Sequence, residues 1–172
     1  MTTENRSVTD TLIAEARTTL RDAHEKIVHC LNQLDDDQFN WRPFEQQNSL
    51  ANLLLHLCGN MRQWIINGIE QKPDTRHRSS EFSDRARQSK TDLMKRLAET
   101  VAEADATLSR VTAETITQPR RIQGFDVNVM HAVFHTVSHF VGHSQEIIYI
   151  TRLQLREKYR YKFVPQTKEQ GA

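Results

Sequence analysis

Glycine and proline are scarce in this chain, 5 and 4 among 172 residues, so little interrupts long helices. The two cysteines, Cys30 and Cys58, form no CxxC spacing, which excludes a thiolate zinc motif and a disulfide scaffold and makes a reducing cytoplasm the expected location. No apolar run approaches the roughly 18 residues a spanning helix needs, and no basic-then-apolar stretch opens the chain, so neither a membrane helix nor a signal peptide is expected. Charge of one sign is also missing. Lys+Arg 23 against Asp+Glu 22 gives no global attraction to nucleic acid or membrane. What remains, 37% hydrophobic and 26% charged residues, suits one helical domain over residues 1–172, with an end that frays from about Pro165.

Four helical segments are predicted. In the first, from Val8 to Asp36, Ile13, Leu20, Ile27 and Leu34 recur every seven residues with Ala16, Ala23 and Cys30 between them, a bundle seam. Pro43 blocks helix in the turn that follows. The second starts at Asn48-Ser49, plausible cap residues, and runs to about Glu70 through Leu50, Leu53, Leu54, Leu57, Met61, Trp64 and Ile65. A polar crossover over 71–82 leads to the third, from Ser83 to Ala113, with Met94, Leu97, Val101, Ala104, Leu108 and Val111 spaced by threes and fours. Pro119 and Gly124 mark a connection, and the fourth helix runs from Asp126–Asn128 towards Tyr159. With no convincing strand, the fold class is all-α: a four-helix bundle with a long crossover between its second and third helices.

Half of the eight histidines lie on that fourth helix, at 131, 135, 139 and 143. With about 100° per residue and Val127 at zero, the apolar residues occupy about 200° to 340° and the four histidines about 40°, 80°, 120° and 160°. His139 and His143 therefore lie nearest the interior. On the second helix, Asn52, His56, Asn60, Gln63 and Asn67 form a polar, uncharged stripe that suits a partly buried pocket. Three imidazoles from two helices would leave a zinc- or nickel-like ion a position for water or substrate. Each residue also has a plainer reading: His56 as a packed, hydrogen-bonded histidine, and the ladder as a pH-responsive or inert surface. Cys30 and Cys58 read as small buried hydrophobes, and Trp41 and Trp64 as packing anchors.

The stretch from Asn48 to Asn60, with Leu53-Leu54-Leu55-His56-Leu57, resembles the second-helix motif of the DinB/YfiT-like superfamily. Trp41 and Pro43 resemble its W-x-P turn, and His139-Phe140-Val141-Gly142-His143 resembles its fourth-helix HxxxH. The likeness spans residues 8 to 155 and rests on those two short motifs. It implies a bundle in which His56, His139 and His143 hold a metal, with His135 lining the site or orienting a ligand. Many such relatives follow the last histidine with x-Gly-Gln, whereas this chain has Ser144-Gln145-Glu146. Glu146 falls among the histidines at about 100° on the wheel. Three roles are open to it: orienting His139, acting as a base, or remaining a solvated surface charge.

The resemblance further implies a metal-dependent thiol transferase of the cytoplasm, acting on a small-molecule electrophile with a low-molecular-weight thiol as co-substrate, and assembled as a homodimer. Hydrolysis would use the same apparatus. A non-catalytic, stress-associated metal-binding bundle is the alternative. A third class rests on Arg152, Arg156, Lys158, Arg160 and Lys162, interleaved with Tyr159, Tyr161 and Phe163, which can contact phosphates and stack on bases. The sequence favours a solubilising helix end there, since cations suit a helix C-terminus and no nucleic-acid motif accompanies them. Arg76, His77 and Arg78 read as crossover surface, or as a hold on an anionic substrate.

Overall fold

The computed structural model describes residues 7–164; the fraying expected from Pro165 lies outside them. Helix α1 (Val8–Leu31) opens on a reciprocal cap in which Ser7 Oγ accepts from Asp10 N and Asp10 accepts from Ser7 N. All seven predicted seam residues are buried. The helix ends before Asp36 because Asp35 accepts from Gln38 N and starts a separate short helix, α2 (Asp36–Asn40). An aspartate that bonds its own downstream backbone competes with helix continuation.

Helix α3 (Leu50–Met61) begins at the predicted cap, Ser49, and continues through a π-helical segment, Arg62–Asn67, into α4 (Gly68–Glu70). Eleven of the twelve α3 residues are buried, polar ones included, so it is an interior helix without a solvent face. The crossover supplies the extra cover. It runs from 71 to 89 and contains α5 (Arg78–Ser83), which packs on α3. Helix α6 (Lys90–Leu108) is accordingly shorter than predicted: Ser89 caps it by accepting from Asp92 N, while Asp84 leaves α5 in an extended conformation.

A two-stranded antiparallel hairpin, β1 (Pro119–Ile122) and β2 (Phe125–Asn128), corrects the expectation of no strand. Its turn places Gln123 and Gly124 at φ 52 and φ 84, the left-handed pair that two-residue hairpin turns favour. Helix α7 (Val129–Leu155) starts where Asn128 caps His131 N. It stops short of Tyr159, at a 3-10 turn over Arg156–Lys158. The four long helices pack with α1 and α3 each set against both α6 and α7, which places α1 diagonally from α3. Phe140 of α7 is fully buried in the shared core, worth about 1.5–3 kcal/mol. No helix among the described residues is long and apolar enough to cross a membrane.

The basic-aromatic segment after α7 lies back on the bundle. Arg152 stands over the rings of Tyr159 and Tyr161 at 5.7 and 5.1 Å, and the Arg160 carbonyl accepts from Gln33 Nε2. Lys162 pairs with Glu25 at 2.5 Å. Cys30 and Cys58 are free and buried, and burial pushes both thiols up, as befits small hydrophobes. Trp64 is buried, but Trp41 stands half in solvent, so only one tryptophan is an interior anchor.

On α1, His24 buries Nε2 without a hydrogen-bond partner, and burial lowers its pKa from the ordinary 6.5 against the weaker pull of Glu25. Charges around it are Arg17, Arg21, Glu25 and Asp105. Because the unfolded chain binds this proton more readily, the contribution of neutral His24 is intact above about pH 6.5 and is lost as pH falls below it. His24→Gln should flatten that part of the urea-denaturation profile. Parallel acid losses in the variant and the parent would remove His24 as the cause.

Candidate metal centre

The periodicity of α7 and the burial of α3 bring three imidazoles together. One ring nitrogen from each of His56, His139 and His143 lies within 4.8 Å of the others. His56 Nε2 is 2.8 Å from His139 Nε2, and the ring centroids of His56 and His143 are 5.1 Å apart. A tetrahedral ion with bonds of about 2.0–2.1 Å would separate its ligand nitrogens by about 3.3 Å, within reach of small side-chain adjustments. The three histidines are positioned to bind a metal ion.

The outer nitrogens are fixed by carboxylates. His56 Nδ1 meets Glu81 Oε2 at 2.9 Å, and His143 Nδ1 meets Glu146 Oε2 at 2.7 Å. A carboxylate accepts only, so each of these contacts favours hydrogen on Nδ1, the tautomer that turns the Nε2 lone pair to the centre. At His56 the Glu81 oxygen is nearer than the donor Arg76 Nη2, which lies 3.1 Å from the same Nδ1. At the 2.8 Å contact His139 is then the donor to His56. Burial, reinforced by the neighbouring histidines, lowers the pKa of His139 to about 3. Burial also pushes His56 down, against the pull of its hydrogen bond to Glu81. Neutral imidazoles are the form a metal requires.

The remaining histidines of the ladder lie beside the cluster. His135 stacks on His139 with centroids 5.7 Å apart and rests over Trp64 at 3.9 Å, while His131 continues the stack outward at 6.4 Å. The π-helical segment carries Trp64 there, a local departure of the kind often found at functional sites. Of the roles open to Glu146, the structure shows it orienting a histidine, but His143 rather than His139. One side of the cluster is open: a depression of about 380 Å³ is lined by His135, Ser138, His139, Gly142, His143 and Glu146.

The polar stripe that runs from α3 into the π-helical segment is buried at Asn52, Asn60 and Gln63, and part of it anchors the crossover. Asn52 Nδ2 donates to the Glu81 carbonyl at 2.8 Å, and Gln63 Oε1 accepts from Arg76 Nη1 at 2.8 Å. Arg76, expected at the crossover surface, instead has a side chain only 5% exposed. It forks onto Glu81 through Nε and Nη2, both at 2.7 Å, because a buried carboxylate needs a partner of opposite charge. Burial alone would raise the Glu81 carboxyl, but the bonds from Arg76 and His56 outweigh it and its pKa is lowered. Phe82 covers His56 at 4.7 Å between centroids. Sequence reasoning missed Glu81 and Phe82. The only signal was Gly59, three residues beyond His56 in an otherwise bulky helix, which marks a close approach.

A crystal structure of a conserved protein of a locus from Enterococcus faecalis shares this fold, with a TM-score of 0.70 and 19% identity over 86% of this chain and 97% of that one. No curated protein matches the chain. Residues 7–168 match the family described as protein of unknown function (DUF1572), a span that includes the three converging histidines and both carboxylates that hold them. The chain belongs to the DUF1572 family.

Proposed function

We propose that this protein is a divalent-metal enzyme of the thiol-transferase type, with His56, His139 and His143 as the ligands of a zinc or nickel ion. The observation that carries the reading is the convergence of three imidazoles from two helices beside an open depression. The resemblance of both histidine motifs to the DinB/YfiT-like superfamily supplies the reaction class. A divalent ion on three neutral ligands keeps its charge and lowers the pKa of a small thiol, or of water, for attack on an electrophile. Glu146 lines the open side while holding His143, so its carboxylate is the proton acceptor within reach of the reacting space. Ser138 offers a hydroxyl on the same rim, and His135 packed on Trp64 forms a rigid flank. A small-molecule substrate and homodimeric assembly belong to the same reading and rest on the resemblance.

Gly142 tests the role of the opening. A Cβ there meets nothing within 4 Å, so Gly142→Leu should fold without a clash and, given the helix propensities, with no loss of stability. Its side chain would project from the rim of the depression. The expected result is unchanged metal content with thiol-dependent turnover of a chromogenic electrophile reduced about tenfold or more, the size of effect that misplacing a substrate produces. Unaltered turnover in the variant would move the reaction away from this face. Metal-loaded parent protein that turns over no pair from a broad panel of thiols and electrophiles would leave a metal-binding bundle without catalysis.

A further inference from the structure

Glu81 sits where three separate constraints meet. Its carbonyl is held by Asn52 Nδ2 at 2.8 Å, and its carboxylate is forked by Arg76. Its third boundary is the backbone of α3: a Cβ on Gly59 would collide with Glu81 Oε1 and lie 2.8 Å from Arg76 Nε. Arg76 is fixed in turn. Its Nη1 donates to Gln63 Oε1 at 2.8 Å, Gln63 Nε2 donates to Asp74 Oδ2 at 2.6 Å, and Arg76 N donates to Asp74 Oδ1 at 3.0 Å. Five residues therefore determine the place of one oxygen, Oε2, which faces His56 Nδ1 at 2.9 Å, nearer than Arg76 Nη2 at 3.1 Å from the same nitrogen. A network satisfied at each step and closed against a glycine specifies a single arrangement.

We infer that Glu81, clamped by Arg76 over Gly59, is a positioning residue of the metal centre: it sets the tautomer and ring angle of His56 from the crossover. The inference rests on the metal-binding reading above. It makes residues 74–84 part of the centre, although none of them is among the three candidate ligands. Glu81→Gln is the discriminating variant, because the amide keeps the shape and can still accept from Arg76. An amide nitrogen turned towards His56 donates to Nδ1 and forces hydrogen onto Nε2, the nitrogen the ion needs.

The test uses the full chain stripped with a chelator, studied above the imidazole titration range. Nitrogen-15 NMR of the parent should show His56 protonated at Nδ1, and Glu81→Gln should shift it towards the Nε2–H form. Zinc affinity, from competition with a chromophoric chelator, should fall about 10–100-fold in the variant. Gly59→Ala, which displaces the pair without touching any histidine, should weaken zinc binding in the same direction. An Nε2–H parent, or parental zinc affinity in Glu81→Gln, overturns the inference. If the parent itself takes up no zinc, the metal reading fails, and the His56 tautomer alone decides whether Glu81 positions the ring. A variant too unstable to study leaves Gly59→Ala and the parent spectrum to decide.

Discussion

His56→Ala, purified beside the parent without a histidine tag, should keep its helical content and lose about 100-fold or more in zinc affinity. The size follows from what remains. His139 and His143 are one turn apart on a single helix, and two imidazoles hold zinc far more weakly than three. Within the cluster, His56 is the one ligand candidate from α3, 83 positions away from His139, so its loss converts an interhelical centre into a surface pair. The fold should survive, since the Arg76–Glu81 pair that covers this part of α3 stays complete. Elemental analysis and calorimetric titration with zinc provide the measurement. Metal retained at parental stoichiometry and affinity would mean that the stacked histidines of α7 hold it without α3, and the proposed centre would fall.

Arg76→Ala should destabilise the metal-free protein by about 3–5 kcal/mol, the cost of leaving a buried carboxylate without its counter-ion. The two side chains are only 5% and 10% exposed, so solvent offers Glu81 little replacement. The sign reverses when both charges go. Arg76→Met combined with Glu81→Gln should recover most of the loss, because paired buried charges contribute little net stability over a well-packed neutral pair. Urea denaturation in the presence of a chelator measures both. A loss below about 1 kcal/mol for Arg76→Ala would put the pair in the class of exposed ion pairs, with water reaching the crossover.

The bundle was legible because burial on α1, α6 and α7 follows helical periodicity, which the spacing of apolar residues carries. Ile13, Leu20 and Ile27 could face only one way, and the same stepping ranked His139 and His143 as the inward pair. Helix α3 was less legible in one respect. A helix enclosed on every side has no solvent face, so Asn52 and Asn60, with Gln63 in the π-helical continuation, could be read as a pocket lining but not as the seat of another segment. That segment is a crossover whose pattern of Arg, His, Ser and Glu is indistinguishable from solvated loop until Gly59 brings it close. Glu81 therefore had no signal of its own. The hairpin was missed because four-residue strands are too short for alternation to register, although Gln123-Gly124 carried its turn.

The spacing of the histidines fixes when an ion can arrive. Short zinc motifs, with ligands a few positions apart, seize metal while the polypeptide is still being made and fold around it. Here the nitrogens come from 56, 139 and 143, and the carboxylate behind the first comes from 81. A ribosome must have delivered most of the bundle, and α3 must have docked on α7, before three ligands meet. An ion bound there would be a late guest of a finished scaffold. Under the proposed reading, cellular metal supply would set how much of the protein carries an ion, and would leave how much of it is folded largely unaltered.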